Sequence, residues 1–122
     1  GLMQIKPSTA SYMAKSRVKK RQLFKPERNA KLATNYLSYL MEKSKGNAIV
    51  ATAAYNAGFS RVKRWLPDQS MPADAWIETI PYKETRNYVK AVMAYTEVYQ
   101  ELLEKDSNVF NNISEVNIEP TL

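Results

Sequence analysis

The sequence predicts a mainly α-helical globular domain, and three observations support this prediction. The 122 residues are the length of one domain, and 44% of them are apolar, which is enough to bury a core without metals or disulfides. Only three glycines occur, and the prolines lie between the apolar stretches. Strong helix formers, chiefly Ala, Leu, Lys, Glu and Met, fill those stretches. We therefore expect five or six helices and a minimal β segment at the N-terminus.

The first predicted elements are an extended segment over residues 1–5 and a helix from about Pro7 to residue 14. Pro7 suits the first turn of a helix because its missing N–H would have no partner there. A second helix is predicted over residues 26–43, where apolar residues recur at three- and four-residue steps before Gly46 ends it. Its expected apolar face consists of Leu32, Tyr36, Leu37, Tyr39 and Leu40.

A central helix is expected over residues 48–55, because this stretch is apolar on nearly all sides and must therefore be buried. Gly58 is its expected stop. Residues 59–66 are predicted to form a short helix that ends before Pro67, with Ser60 as the N-cap. Residues 67–75 combine Pro, Asp and Ser, so they are predicted to form a loop.

The longest helix is predicted from about Lys83 to Lys105. The expected core-facing seam, with four- and three-residue spacing, is Tyr88, Val92, Tyr95, Tyr99 and Leu102. Residues 106–122 have little periodicity and many asparagines, so they are expected to form a tail that packs on the surface or is disordered. The predicted organisation is one domain over residues 1–105 and a C-terminal tail over residues 106–122.

Charge and composition narrow the classes of function. The net charge of +6 and the pI near 9.5 favour an acidic partner such as nucleic acid, an anionic membrane or an anionic cell-wall polymer. The densest basic run, residues 15–21, has no aromatic platform or base-reading motif beside it, so we predict no nucleic-acid binding. No apolar run approaches the roughly 20 residues that would cross a bilayer, so no transmembrane segment is expected.

The chain contains no Cys and no His. A thiol nucleophile, a Ser–His pair and a His or Cys metal site are therefore excluded, and any chemistry must use carboxylates, tyrosine hydroxyls and backbone dipoles. We expect no metal and no cofactor. A chain without cysteine is compatible with an oxidising compartment such as the periplasm but does not require one.

Two polar pairs beside apolar stretches are candidate site residues. Tyr55 and Asn56 follow the central apolar helix; the alternative is a core tyrosine with a helix-capping asparagine. Glu84 and Tyr88 lie one turn apart near the start of the long helix, where the helix dipole favours a carboxylate. The alternative for this pair is ordinary capping by Glu84 and packing of Tyr88 in the core. These residues alone leave both alternatives open.

Three stretches in order, "GLMQIKPSTA", "AAYNAGFSRVKRWL" and "IPYKETRNYVKAVMAY", together with the linking "LFKPERNAKLATNYLSYL", closely resemble the catalytic domain of soluble lytic transglycosylases. These are lysozyme-like enzymes that cut bacterial peptidoglycan, and the resemblance covers roughly residues 1–105. It implies a goose-type lysozyme-like fold, peptidoglycan glycan strands as the partner and a periplasmic or cell-envelope location. It also leaves room for a helical domain of the same protein upstream.

The resemblance implies roles for the N-terminal motif. Gln4 lies between Met3 and Ile5, and because side chains alternate in an extended segment, it points to the opposite side from both. In the family, the Gln of this motif lines the glycan cleft, so Gln4 is implied as a substrate-binding residue. Met3 is implied as part of the apolar wall beside the catalytic acid. Lys6 stands where the family usually has Met, and a cation there would alter contacts with sugars or stem peptides.

The resemblance also implies roles for the two later motifs. Tyr55 is implied to lie beside the catalytic acid and to help place it and the scissile sugar. The Ala54 carbonyl is implied to face an N-acetyl group, and Asn56 to brace the turn. Glu84 is implied to contact substrate across the cleft, with Tyr88 as a less certain neighbour.

The catalytic residue of the family is a single Glu, followed by Ser, on a helix shortly before "GLMQ". Since this sequence begins at Gly1, we expect that acid upstream of Gly1, and none of the twelve Asp and Glu residues present looks like a substitute. The isolated chain is therefore expected to be nearly inactive. Two alternatives remain open: a non-catalytic peptidoglycan-binding module, and a helical nucleic-acid or partner-binding domain that rests on charge alone.

Overall fold

The computed structural model describes residues 26–103 and 116–122. The predicted N-terminal strand and the helix near Pro7 lie outside the described residues. The elements in chain order are α1 (Pro26–Lys43), α2 (Ala48–Ala57), α3 (Phe59–Arg64), β1 (Met71–Pro72), α4 (Ala73–Thr79), α5 (Lys83–Leu103) and β2 (Asn117–Ile118). The prediction of a mainly helical fold is confirmed. The chain divides into two compact units, residues 1–40 and 41–122.

Helix α1 has the predicted bounds and the predicted end. The turn after the helix is closed by Gly46, which has φ 80° and donates its N–H to the Met41 carbonyl at 2.8 Å. Leu32 and Leu40 are buried as expected. Leu37 is 39% exposed, so its assignment to the buried face is wrong. The buried stripe of the helix contains Asn29, Ala33 and Leu40. Leu37 lies at the edge of this stripe, about 80° round the helix from Asn29.

Helix α2 is the buried helix that its all-round apolar sequence predicts. Every residue from Ala48 to Ala54 is buried, and the helix packs against both α3 and α5. It begins at Asn47, whose side-chain oxygen accepts the N–H groups of Ile49 and Val50, both at 3.1 Å. The Asn47 amide group also donates to the Asn117 carbonyl at 3.2 Å, which ties the start of α2 to the C-terminal segment.

Gly58 joins α2 to α3 and has φ 94° and ψ 140°. Its N–H donates to the Ala54 carbonyl at 2.8 Å, and its own carbonyl accepts the Val62 N–H at 3.1 Å. It therefore closes one helix and opens the next. Ser60 lies inside α3, and the N-cap position is Gly58 with no side-chain cap, so the predicted Ser60 cap is wrong. The tight connection through Gly58 starts the helix two residues too early for Ser60 to cap it.

The predicted loop over residues 67–75 contains regular structure. Met71 and Pro72 form β1, which pairs antiparallel with Asn117 and Ile118 of β2. Helix α4 starts directly after β1, because Ala73, Trp76 and Ile77 supply a buried face at three- and four-residue steps. The expected tail is thus partly structured. Ile118 is fully buried, since β2 packs against α4 as well as pairing with β1.

Helix α5 is the longest helix, but its buried seam differs from the prediction. Tyr95 is 76% exposed, so its place in the seam is wrong. Thr85 and Val89 are instead buried, and Val92 and Thr96 continue their face at the same four-three spacing. The aromatic residues predict a stripe about 70° round the helix from the one that compact, β-branched side chains occupy, and Val92 lies on both. Within the described ranges, no helix is both long and apolar enough to cross a membrane.

Candidate functional site

The end of α2 and the start of α5 are joined by a hydrogen bond between two side chains. Thr85 Oγ1 donates to Asn56 Oδ1 at 2.7 Å, across 29 positions of sequence. Thr85 is 1% exposed, and Asn56 is half-buried. The two later candidate motifs are therefore brought together, since Asn56 follows Tyr55 and Thr85 follows Glu84.

Tyr55 and Asn56 are presented where α2 leaves the core. The helix is buried up to Ala54, whereas Tyr55, Asn56 and Ala57 are half-buried. The positive φ of Gly58 then turns the chain into α3. A phenol and an amide thus stand at the boundary between a rigid apolar helix and the surface.

Ala54 is fully buried, and its carbonyl accepts the Gly58 N–H within the helix terminus at 2.8 Å. A carbonyl has a second lone pair, so this bond leaves it able to accept another donor. A sugar would nevertheless reach it only after the groups that cover Ala54 had moved. The contact between this carbonyl and an N-acetyl group stays a prediction.

Glu84 and Tyr88 lie on the first two turns of α5. Glu84 is exposed, in the first turn of the helix where the backbone dipole favours a negative charge. Tyr88 is half-buried, and this burial raises the pKa of its phenol above the ordinary value of 10.0. The pair therefore offers carboxyl oxygens as acceptors beside a phenol hydroxyl that both donates and accepts.

The turn that leads into α5 is held by a cluster of aromatic and basic side chains. Arg86 Nη1 donates to the Ile80 carbonyl at 2.8 Å. The ring of Tyr82 meets that of Trp65 edge-on, with centroids 5.0 Å apart, and the Arg61 guanidinium lies 5.0 Å from the Tyr82 centroid. The indole N–H of the buried Trp76 donates to the Trp65 carbonyl at 2.8 Å. These contacts link α3, α4 and the start of α5, and so they fix the position from which Glu84 projects.

The carboxylates whose side chains the structure describes share one property: all are exposed. They are Glu27, Glu42, Asp68, Asp74, Glu78, Glu84, Glu97 and Glu119. A carboxyl that must stay protonated near neutral pH needs an apolar, desolvated environment, which none of these eight has. No three acidic side chains of the described segments lie close enough together to hold a metal ion.

Five of the eight candidate site residues lie in the part of the chain that the structure describes. It describes Ala54, Tyr55, Asn56, Glu84 and Tyr88, whereas Met3, Gln4 and Lys6 lie outside the described residues. The substrate-binding roles of all eight stay predictions.

Thr85 is not among the site residues predicted from the sequence. A signal for it exists: Thr85 lies in the first turn of α5, and four residues before it stands Pro81, which precedes the helix. Its hydroxyl therefore lacks the helical carbonyl that a threonine usually bonds one turn back. A buried threonine in that position needs a partner elsewhere.

Two family models match the chain. The Transglycosylase SLT domain matches residues 1–78, and the Soluble lytic transglycosylase helical domain matches residues 79–108. The first match contains α2 and the second contains α5, and these helices pack against each other within residues 41–122. Both matched segments thus contribute to one packed unit.

Curated relatives and a solved structure agree with these models. The soluble lytic murein transglycosylase of Salmonella typhimurium is 44% identical over 84% of this chain, and that of Escherichia coli K12 is 42% identical over 82%. The chain spans only 17% of the length of each. The crystal structure of an inactive Glu-to-Gln mutant of lytic transglycosylase Slt from Pseudomonas aeruginosa has a TM-score of 0.80. It is 39% identical, and the match covers 89% of this chain and 19% of that one.

Proposed function

Because the chain belongs to the soluble lytic transglycosylase family, we propose that it forms the glycan-binding part of a peptidoglycan lytic transglycosylase. The reaction is cleavage of the β-1,4 bond between N-acetylmuramic acid and N-acetylglucosamine, with formation of 1,6-anhydro-N-acetylmuramic acid. The substrate is the peptidoglycan glycan strand. This substrate places the protein in the periplasm or cell envelope, and the net charge of +6 suits an anionic sacculus.

The observation that carries this proposal is the hydrogen bond between Asn56 and Thr85. It joins the "AYNAG" and "ETRNYV" motifs, which are far apart in the chain, at adjoining helix ends. Tyr55 and Glu84, each next to one partner of this bond, then act on the same glycan. A phenol, an amide and a carboxylate supply the donors and acceptors that hydroxyl and acetamido groups require.

The reaction needs one carboxyl. As general acid it protonates the glycosidic oxygen, and as base it then removes the proton from the 6-hydroxyl of the muramic sugar, which closes the anhydro ring. The eight described carboxylates are all exposed, whereas such an acid must be kept protonated by an apolar pocket. The general acid is therefore none of these eight, and we propose that it is the Glu that the family resemblance leads us to expect upstream of Gly1. Glu84 contacts the substrate and does not transfer the proton.

Incubation of the complete protein encoded by the gene with murein sacculi tests the proposal, with mass spectrometry of the released muropeptides. We expect products that end in the 1,6-anhydro sugar. Since general acid–base catalysis contributes about 10²- to 10⁴-fold, the 122-residue chain alone should release them slower by that factor. Binding of sacculi without any anhydro product from the complete protein would instead establish the non-catalytic binding module.

A pair of variants tests the role of Glu84 within the same assay. Glu84→Gln should lower turnover about tenfold, because a neutral amide is a weaker acceptor for sugar hydroxyls than a carboxylate. Glu97→Gln is the matched control: Glu97 is also exposed on α5, roughly 20 Å further along the helix. Equal activities of the two variants would remove Glu84 from the substrate site.

A further inference from the structure

We propose that Thr85 is a positioning residue of the glycan site, which sets the placement of Tyr55 relative to Glu84 through its hydrogen bond to Asn56. This inference rests on the proposed function and adds a residue to it. Thr85 itself is 1% exposed, so it acts through Asn56 and not by touching the glycan.

Thr85 differs from the other threonines of the described helices in where its hydroxyl bonds. Thr34, Thr52 and Thr96 each donate to the carbonyl four residues earlier in their own helix, at 2.7 to 2.8 Å, and Thr79 donates to the carbonyl three residues earlier at 2.6 Å. Thr85 instead donates to a side chain on another helix. Its position in the first turn of α5 explains the difference, because the residue four places earlier precedes the helix.

The geometry of the bond constrains both helix ends. A hydroxyl–carbonyl distance of 2.7 Å is near the optimum, and burial of Thr85 removes competing water. The bond also fixes the orientation of the Asn56 amide, since its oxygen faces α5 and its NH₂ group remains available as a donor. A flipped amide would set two donors against each other.

The candidate substrate residues stand one position before each partner of this bond. A neighbouring residue in a helix is displaced by only about 1.5 Å along the axis and about 100° around it. Any shift of Asn56 against Thr85 therefore moves Tyr55 against Glu84 by a similar amount. Residues that bind a polar ligand from two helices require this separation to be held within about half an ångström.

The test compares three variants of the 122-residue chain in binding a β-1,4-linked N-acetylglucosamine oligomer, with Kd measured by calorimetry. Thr85→Val keeps the shape but removes the donor, and it should raise Kd about five- to tenfold. Thr85→Ser keeps the donor and should bind within about twofold of the unaltered chain. The control, Thr96→Val, loses a bond within α5 roughly 16 Å away and should leave Kd unchanged.

Nuclear magnetic resonance of the unliganded variants supplies a second measurement. Thr85→Val should shift the backbone amide signals of both Tyr55 and Glu84, whereas Thr96→Val should shift neither. If valine is not accommodated, as thermal unfolding would reveal, Thr85→Ala takes its place with the same expected results.

The outcomes separate this inference from the function on which it rests. Unaltered chain that binds no oligomer contradicts the proposed function, and the role of Thr85 falls with it. Oligomer binding that is equal in the unaltered chain and Thr85→Val overturns the role of Thr85 alone. Equal weakening by Thr85→Val and Thr96→Val also overturns it, because general destabilisation would then explain the loss.

Discussion

Replacement of Gly58 by Ala perturbs the backbone behind the candidate site without a steric clash. Gly58 has φ 94° and ψ 140°, a region that residues with a side chain rarely adopt. A Cβ built at this position meets no heavy atom within 4 Å. The cost of Gly58→Ala therefore comes from the backbone conformation and not from crowding.

The expected loss of stability follows from two opposing contributions. A non-glycine residue held in a sparsely populated backbone region costs about 1–3 kcal/mol. The less flexible unfolded state of alanine returns about 0.4–1 kcal/mol. The net decrease in the free energy of unfolding is about 1–2 kcal/mol, which corresponds to a melting temperature lower by about 3–10 °C for a chain of this length.

Gly46→Ala is the matched control. Gly46 also has a positive φ, 80°, and also has nothing within 4 Å of a built Cβ, but it ends α1 instead of α2. Both variants should lose stability in thermal unfolding followed by circular dichroism. Only Gly58→Ala should also weaken oligosaccharide binding, because relaxation at residue 58 displaces Asn56. A Gly58→Ala variant as stable as the unaltered chain would refute the reasoning, since the strained conformation would then not exist in solution.

Two further predictions concern the α2 cap and the half-buried phenol. Asn47→Ala removes a cap that accepts two backbone N–H groups and a bond to the Asn117 carbonyl, and should lower the free energy of unfolding by about 1.5–3 kcal/mol in urea titrations. Asn47→Asp keeps the cap acceptor and should lose less. Burial raises the pKa of Tyr88, so the unfolded state loses the proton first and stability should fall as pH rises above about 10. The free energy of unfolding should fall by less than about 1.4 kcal/mol per pH unit, because Tyr88 is only half-buried. Tyr88→Phe should reduce this dependence on pH. An equal dependence in the variant and the unaltered chain would contradict the assignment to Tyr88.

The long helices could be predicted from the sequence because their signals are local. Helix α1 has the predicted bounds, since a periodic apolar face and a terminal Gly46 both lie within the helix and its end. Helix α4 could not be predicted, because seven residues with a single buried face give too weak a helical pattern beside Pro and Asp. The pairing of β1 with β2 left no signal either, because two-residue strands show no alternation and their partners are distant in the chain.

The residues of the candidate site could likewise be predicted where their signal is local in the sequence. Tyr55, Asn56 and Glu84 stand in motifs whose order and content can be read directly, and the structure brings two of those motifs together. Thr85 could not be found by periodicity, because a threonine on a buried stripe interrupts an apolar pattern. The same effect explains Tyr95: its aromatic ring suggested a core position, whereas compact Thr85 and Val89 occupy the buried face of α5.

The exposure of Glu84 bears on which group of the site could act as general acid and which could bind the glycan. A carboxylate that is open to water offers its oxygens as acceptors, which is the role proposed for Glu84 toward sugar hydroxyls. A general acid needs the opposite environment, an apolar wall that disfavours the charge. Tyr55, half-buried at the end of an otherwise buried helix, can contribute to such a wall, while Glu84 cannot. Under the proposed function, the described residues therefore hold and orient a glycan, and the proton comes from a carboxyl other than the eight described.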